Sequence, residues 1–190
     1  MLITQNILGQ YITLEPFNQN HKPDLKILVE DQSIWKHFPY NASGAGFEPW
    51  FEKTLKKTQS ELELCFAIRC NKTQNIIGCT RFYSLAMPYR RLAIGHSFYH
   101  TDTRGTKANP ECKKLLLQTA FEELGIERVE FMADINNKHS MAAIKKLGAS
   151  EEGILRQYMT FENGYKRDTA VFSVLKSEWP SVKDKLDARL

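Results

Sequence analysis

The clearest chemical signature of the chain lies in the loop Arg104–Asn109, between a strand-like segment and a helical pattern. Asn109 suits the N-cap of a helix, and Pro110 suits its first position, where no backbone donor is needed. A loop that enters a helix in this way directs several free N–H groups and the positive end of the helix dipole at one point. The pattern predicts a binding site for a phosphate group.

Two elements must position this loop. The segment Arg91–Tyr99 is predicted to be a strand, and Pro110–Glu123 to be a helix closed by Gly125 as its C′ residue. The helix carries one apolar stripe, made of Leu116, Leu117, Ala120, Phe121 and Leu124. The loop is therefore expected at the junction of a strand and a buried helix.

The rest of the chain alternates between strand and helix patterns. Further strands are predicted at residues 11–14, 64–69, 76–83, 128–133, 149–161 and 165–175, and further helices at 24–30, 48–60, 138–147 and 181–189. Glu162-Asn163-Gly164 is a hairpin signal between the last two strands. Strand–helix–strand units imply parallel neighbours and hairpins imply antiparallel ones, so we expect an α/β fold with a mixed sheet and helices on both faces, in one domain covering residues 1–190.

Composition excludes several classes of function. The chain has 42% apolar and 25% charged residues, which is ordinary for a soluble protein, and its net charge of +4 is too small to indicate a nucleic-acid partner. We find no apolar run near the ~20 residues of a membrane span and no signal-peptide pattern. The four cysteines form no Cys-x-x-Cys pair and the five histidines are scattered, so we expect a cytoplasmic protein without a metal site.

Four sequence blocks occur together in this chain. The first is Ile77–Tyr83 and the second is the 104–109 loop with its helix. The third runs from Asp134–Ser140 through Leu147-Gly148-Ala149, and the fourth is Glu152–Arg156. Residues 167–173 and 178–180 extend the match. With these blocks the chain resembles the GNAT acetyltransferase superfamily, specifically the RimJ/RimL-like branch that acetylates protein N-termini and other amines. The resemblance covers roughly residues 8–190.

The resemblance implies acetyl-CoA as co-substrate and a GNAT-like sheet of about seven strands that splay between the fourth and the fifth. The CoA pyrophosphate would bind the backbone of Arg104, Gly105, Thr106, Lys107, Ala108 and Asn109. Lys107 stands where the family usually has glycine, and its ammonium could lie near the phosphates. Pantetheine would pair with a free strand edge at Phe98 and Tyr99.

The block Asp134-x-x-Asn137-x-x-Ser140 carries the implied leaving-group chemistry. Asn137 would cap the following helix, face the pantetheine amide, or do both. Ser140 matches the hydroxyl that other members place near the CoA sulfur, where it can assist the leaving thiolate. A purely structural capping role for Ser140 remains the alternative.

The general base is where the chain departs from the family pattern. Branch members commonly carry a glutamate in Glu-Ile-Gly, and Ala93 replaces it here; His96 and Glu48 are candidate substitutes. Without a strong base, an α-amine is the easier nucleophile, since neutralising it at pH 7 costs ~1 kcal/mol against ~4.6 kcal/mol for a lysine amine. The acceptor is expected to contact Trp35, Tyr40, Arg81 and Tyr83.

These patterns favour an N-acetyltransferase that moves an acetyl group from acetyl-CoA to a primary amine, on a protein N-terminus or a small molecule, by direct attack on the thioester. The alternative is a CoA-binding module with little or no catalysis, for which Ala93 is the one sign. A non-enzymatic domain is disfavoured by the intact loop and Ser140. The expected partner is the acceptor amine, and no nucleic-acid or membrane partner is expected. We expect the protein to be a monomer or a homodimer.

Overall fold

A computed structural model describes residues 3–190 and contains one eight-stranded mixed sheet. Its strands are β1 Ile7–Leu8, β2 Ile12–Pro16, β3 Leu64–Cys70, β4 Ile76–Ala86, β5 Arg91–Tyr99, β6 Arg128–Asp134, β7 Ser150–Thr160 and β8 Lys166–Leu175. The strand order is β1-β2-β3-β4-β5-β6-β8-β7, and every neighbouring pair is antiparallel except β5 and β6.

Helices cover both faces of this sheet. They are α1 Lys22–Leu28, α2 Phe47–Gln59, α3 Ala108–Gln118, α4 Lys138–Leu147 and α5 Trp179–Asp187. One core joins the sheet to α3, α4 and α5, and a second core joins the opposite face to α1 and α2. The predicted α/β class with a mixed sheet and helices on both faces is confirmed.

Strand β3 shows why both faces must be covered. Leu64, Phe66 and Ile68 pack into the first core, while Cys65 and Ala67 pack into the second. Successive side chains of a strand point to opposite faces, so a strand with apolar residues at every position is buried on both.

The parallel pair β5 and β6 remains together for only three residues. Arg91–Ala93 pair with Arg128–Glu130, and no register pair joins the two strands beyond Ala93 in the described chain. The predicted splay is present, but it falls between the fifth and sixth strands, because the two-residue strand β1 precedes the predicted set. A segment that short has no periodicity to detect.

The start of α3 differs from the sequence prediction. Asn109 is not the N-cap and Pro110 is not the first helical residue; the N-cap is Lys107, and Ala108 begins the helix. The Thr106 hydroxyl accepts the Ala108 N–H at 3.3 Å, which satisfies one early donor from outside the helix. Pro110 fits the first turn because those backbone donors have no intrahelical partner.

The end of this helix also differs in detail. After α3 the chain continues as a single π-helical turn, Thr119–Glu123, and then turns at Gly125 with φ +65°. The left-handed glycine is the predicted C′ feature. Among residues 3–190, no helix has both the length and the apolar character needed to cross a membrane.

Candidate active site

A cleft of about 550 Å³ opens where β5 and β6 diverge. Its walls come from the second half of β5, the end of β6, the first residues of α3, the helix α4, the segment 33–39, and the strand residues Tyr158, Met159 and Arg167 of the β7–β8 hairpin. The lining is more apolar than polar and includes a few charged side chains, among them Lys36, Lys113 and Arg167. A ligand pocket of this size, mostly apolar with a few directed polar groups, is typical of a small-molecule site.

One end of the cleft has the geometry of an anion site. The backbone N–H groups of Gly105, Lys107 and Asn109 have no hydrogen-bond partner within residues 3–190. Gly105 has φ +77°, and a Cβ built on it would have no heavy atom within 4 Å, so its exposed side is open. Free amides beside the start of α3 form the kind of site that binds phosphate.

The loop side chains divide into those that line the cleft and those that do not. Gly105 and Asn109 line it, as does Arg104, whose guanidinium also reaches Asp31 at 3.4 Å. Thr106 and Ala108 are outside its lining. Lys107 lies outside as well, since its ammonium contacts the Tyr11 hydroxyl at 2.9 Å and lies 4.8 Å from the centre of that ring. The structure therefore gives Lys107 a backbone position at the anion site, with its charge directed elsewhere.

A β-bulge shapes the middle of β5. Thr80 on β4 faces two residues of β5, His96 and Ser97, and His96 adopts the left-handed φ of +49°. The Thr80 and Ser97 hydroxyls lie 2.7 Å apart. Bulges near active sites redirect side chains, and this one directs His96 and Ser97 into the cleft.

Phe98 and Tyr99 follow the bulge on the free side of the splay, and both line the cleft. Their rings belong to the interior. Phe98 packs 5.5 Å from the Trp35 ring, and burial raises the pKa of the Tyr99 hydroxyl well above its usual value. What these two residues offer a ligand is a strand edge, and the implied contact with pantetheine stays a prediction.

At the start of α4, one side chain caps the helix and another has a free hydroxyl. Asn137 is the N-cap, and its side-chain oxygen accepts the Ser140 N–H at 3.0 Å. The Ser140 hydroxyl has no partner among the described residues and lines the cleft. The cap is thus supplied by Asn137, and the Ser140 hydroxyl is available to a ligand.

His96 lies in surroundings that keep its imidazole neutral. Burial, aided by the nearby Arg81 charge, lowers the pKa of His96 to about 3. Its Nδ1 lies 3.3 Å from the Tyr40 hydroxyl, and burial raises the pKa of Tyr40 to about 12. Burial likewise raises the pKa of Tyr83, which lines the cleft, to about 12. Near neutral pH these groups are hydrogen-bond partners, and His96 is a weak base.

This environment makes stability depend on pH. The pKa of His96 is near 6.5 in the unfolded chain and about 3 in the folded protein. Between these two pH values the unfolded chain binds more protons than the folded protein. The free energy of unfolding therefore falls as the pH falls through that range. We expect wild-type protein to lose about 2 kcal/mol more stability than His96→Asn between pH 7 and pH 5, where asparagine also tolerates the left-handed backbone. Urea unfolding at both pH values measures this, with exposed His100→Asn as control; equal losses in all three proteins would contradict it.

Ala93 is fully buried and is the register partner of Glu130 on β6. The Glu130 carboxylate lies 3.0 Å from the Arg128 guanidinium and 3.7 Å from that of Arg91. A glutamate at position 93 would therefore enter a buried site facing an existing carboxylate. Two neighbouring carboxylates in a buried site are costly to ionise together, so the absence of a glutamate at position 93 agrees with the local packing.

Three of the four expected acceptor contacts are not among the residues that line the cleft. Trp35 is a core residue whose indole N–H donates to the Val29 carbonyl at 2.8 Å. Arg81 is buried, and its guanidinium donates to Glu63 at 2.6 Å. Tyr40 reaches the cleft only through His96, whereas Tyr83 lines it directly. Glu48 pairs with Lys22 at 2.7 Å and is not a cleft residue.

The structure adds charged and polar cleft residues that sequence reasoning missed. Lys113 donates to the Ser97 hydroxyl at 2.8 Å, and burial lowers the pKa of its ammonium. It lies one helical turn after Asn109 on the same face of α3, so helix periodicity could have identified it. His37, Tyr158 and Arg167 also line the cleft, but no local pattern marks them.

A family model described as an acetyltransferase (GNAT) domain matches residues 12–150. Among curated relatives, the chain is similar to the uncharacterized N-acetyltransferase YoaA of Bacillus subtilis, at 31% identity over 62% of this chain and 66% of that protein. It is also similar to YdaF of Bacillus subtilis, provisionally named a ribosomal N-acetyltransferase, at 39% identity over 57% of this chain and 58% of that protein. The matched region thus spans less than two thirds of either relative.

Solved structures extend the similarity to nearly the whole chain. A GCN5-related N-acetyltransferase from Brucella melitensis superposes with a TM-score of 0.90 at 30% identity, covering 98% of this chain and 85% of that one. The sheet order, the splay and the helix that begins at the anion site therefore lie within the superposed region.

Proposed function

The chain belongs to the GNAT acetyltransferase family, an acyltransferase family whose acetyl donor is acetyl-CoA, and we propose that it acetylates the α-amine of a peptide or small molecule. The observation that carries the proposal is the cleft itself. Free amides at the start of α3 lie at one end, an open strand edge lies in the middle, and the Ser140 hydroxyl lies beside them without a partner.

The residues present fit acetyl-CoA. Gly105, Lys107 and Asn109 supply unpaired backbone N–H groups for the pyrophosphate, and Arg104 and Lys113 supply positive charge in the cleft beside them. Beyond Ala93, the edge of β5 is free to pair with the amides of pantetheine. When bound, the donor supplies an activated acetyl thioester.

The remaining steps, leaving-group assistance and positioning of the amine, depend on residues of this chain. The Ser140 hydroxyl can donate to the sulfur as the thiolate leaves. The walls of the cleft can hold the acceptor amine against the thioester, and such positioning alone lowers the barrier to attack. His96 and Tyr83 are a weak base and a protonated phenol near neutral pH, so neither is expected to deprotonate an ammonium.

An α-amine acceptor follows from this chemistry. The name of the relative YdaF refers to ribosomal acetylation, which supports a protein N-terminus as the acceptor. The four cysteines of this chain carry no disulfide, in agreement with the cytoplasmic location that we propose.

The proposed function is tested by incubating the protein with acetyl-CoA and a panel of amines, following thiol release and product mass. The panel contains peptides with free N-termini, N-terminally blocked peptides with one lysine, and free amino acids. Thermal shift with CoA runs alongside. Stabilisation by CoA with no acetylated product from any amine would favour the binding-module alternative instead.

The same panel gives a pH prediction. With no strong base, kcat/KM should rise about tenfold per pH unit, following the neutral fraction of the acceptor up to its own pKa. α-Amines should therefore exceed lysine amines at pH 7. A plateau well below the acceptor pKa would show that a base is present, and His37, whose Nδ1 lies 3.9 Å from an Asp134 carboxylate oxygen, would be the first residue to vary.

A further inference from the structure

The geometry points to Arg167 as a binding residue for a carboxylate on the acceptor, and we propose that the enzyme prefers acceptors carrying an acidic group close to the reacting amine. This inference rests on the proposed acetyl transfer and specifies its substrate class. Two kinds of acceptor carry such a carboxylate near the amine. In a peptide it is the side chain of an acidic second residue, and in a free amino acid it is the α-carboxylate.

Arg167 lies in β8 and lines the cleft from the side of the β7–β8 hairpin. Its Nε is buried and has no hydrogen-bond partner within residues 3–190. No carboxylate oxygen of the described chain lies within 4.0 Å of its guanidinium. A half-buried arginine without an anion is unusual, because desolvating the charge is costly unless a partner offsets it.

The carboxylate of Asp134, which acts on Arg167 electrostatically, already accepts other hydrogen bonds. Asp134 accepts the Tyr165 hydroxyl at 3.0 Å and the Asn136 N–H at 2.8 Å. It influences Arg167 electrostatically without an ion pair between them. The other groups that act on Arg167 electrostatically are the side chains of Tyr83, Tyr158 and Tyr165, none of which is a carboxylate.

The wider surroundings add positive charge. The Lys36 side chain lines the same cleft from the segment 33–39. A bulge in β7, where Leu155 pairs with Thr169 and Met159 pairs with Arg167, brings Tyr158 and Met159 to the cleft wall beside the arginine. Arg167 thus lies on the cleft wall next to its register partner Met159, and its guanidinium fork of donors matches the two oxygens of a carboxylate.

The test compares acceptors that differ only in this group. One arm uses serine-initiated hexapeptides with aspartate or asparagine at the second position, and the other uses free serine and serinamide, with rates expressed per neutral amine. We expect kcat/KM at least tenfold higher for the acid member of one arm. Arg167→Gln should remove that preference, Arg167→Lys should retain part of it, and exposed Lys166→Gln on the same strand should leave it unchanged.

A binding readout accompanies the rates. The acetylated products of each pair are titrated calorimetrically into CoA-loaded protein, and the acidic product should bind about tenfold more tightly to wild type but not to Arg167→Gln. Equal rates and equal binding within both arms would overturn the inference while leaving acetyl transfer intact. If Arg167→Gln lowered kcat equally for acid and amide acceptors, the inference would also be overturned. Arg167 would then act on the thioester and not on the acceptor carboxylate. Absence of transfer to any amine would refute the proposed function, and the product titration would still decide the carboxylate preference.

Discussion

Gly105→Val is expected to weaken acetyl-CoA binding by tenfold or more, which corresponds to about 1.4 kcal/mol. Gly105 has φ +77°, a conformation that a β-branched residue adopts only with strain. The variant must either distort the loop or present a side chain on the open side of the free amides. Both outcomes disturb the loop that carries the unpaired N–H groups of Gly105, Lys107 and Asn109.

Gly164→Val is the matched control for this variant. Gly164 has φ +81°, also has open space around a built Cβ, and lies in the β7–β8 turn outside the cleft lining. Both variants carry similar backbone strain, so both should lose comparable stability. Calorimetric titration with acetyl-CoA should show weaker binding only for Gly105→Val. Unchanged affinity in a folded Gly105→Val protein would remove the pyrophosphate from this loop.

Ser140→Ala is expected to lower kcat by roughly a hundredfold, the lower range for loss of a proton-transfer group, with little change in KM for acetyl-CoA. The hydroxyl interaction matters mostly as negative charge develops on the leaving sulfur, so its loss raises the barrier more than it weakens ground-state binding. The helix start should be unaffected, since Asn137 supplies the cap and the Ser140 backbone N–H remains.

Steady-state kinetics with varied acetyl-CoA separates the two parameters for Ser140→Ala. Ser140→Thr retains a hydroxyl and should recover part of the rate, while exposed Ser177→Ala should behave like wild type. A Ser140→Ala enzyme with full turnover but weaker donor binding would reassign the hydroxyl from the leaving group to cofactor contact.

Much of the architecture follows from local patterns. Apolar residues at every position of β3 require cover on both faces, and the stripe of α3 requires burial. The anion loop was recognisable because glycine, a helix start and free amides are neighbours along the chain. The same holds for Asn137 and Ser140, since a cap and the residue that it binds are three positions apart.

The tertiary structure alone decided which charged groups meet in the cleft. Arg167 and Tyr158 reach it because β8 pairs with β6 and a bulge shifts β7, pairings between residues far apart in the sequence. Arg81 and Trp35 have side chains typical of binding sites, but both are buried. Arg81 donates to Glu63 and Trp35 donates to the Val29 carbonyl. His96 has an ordinary side chain whose basicity is lowered by burial and by Arg81. Residue types and short spacings are local properties, whereas burial, charge environment and the meeting of distant strands depend on the whole fold.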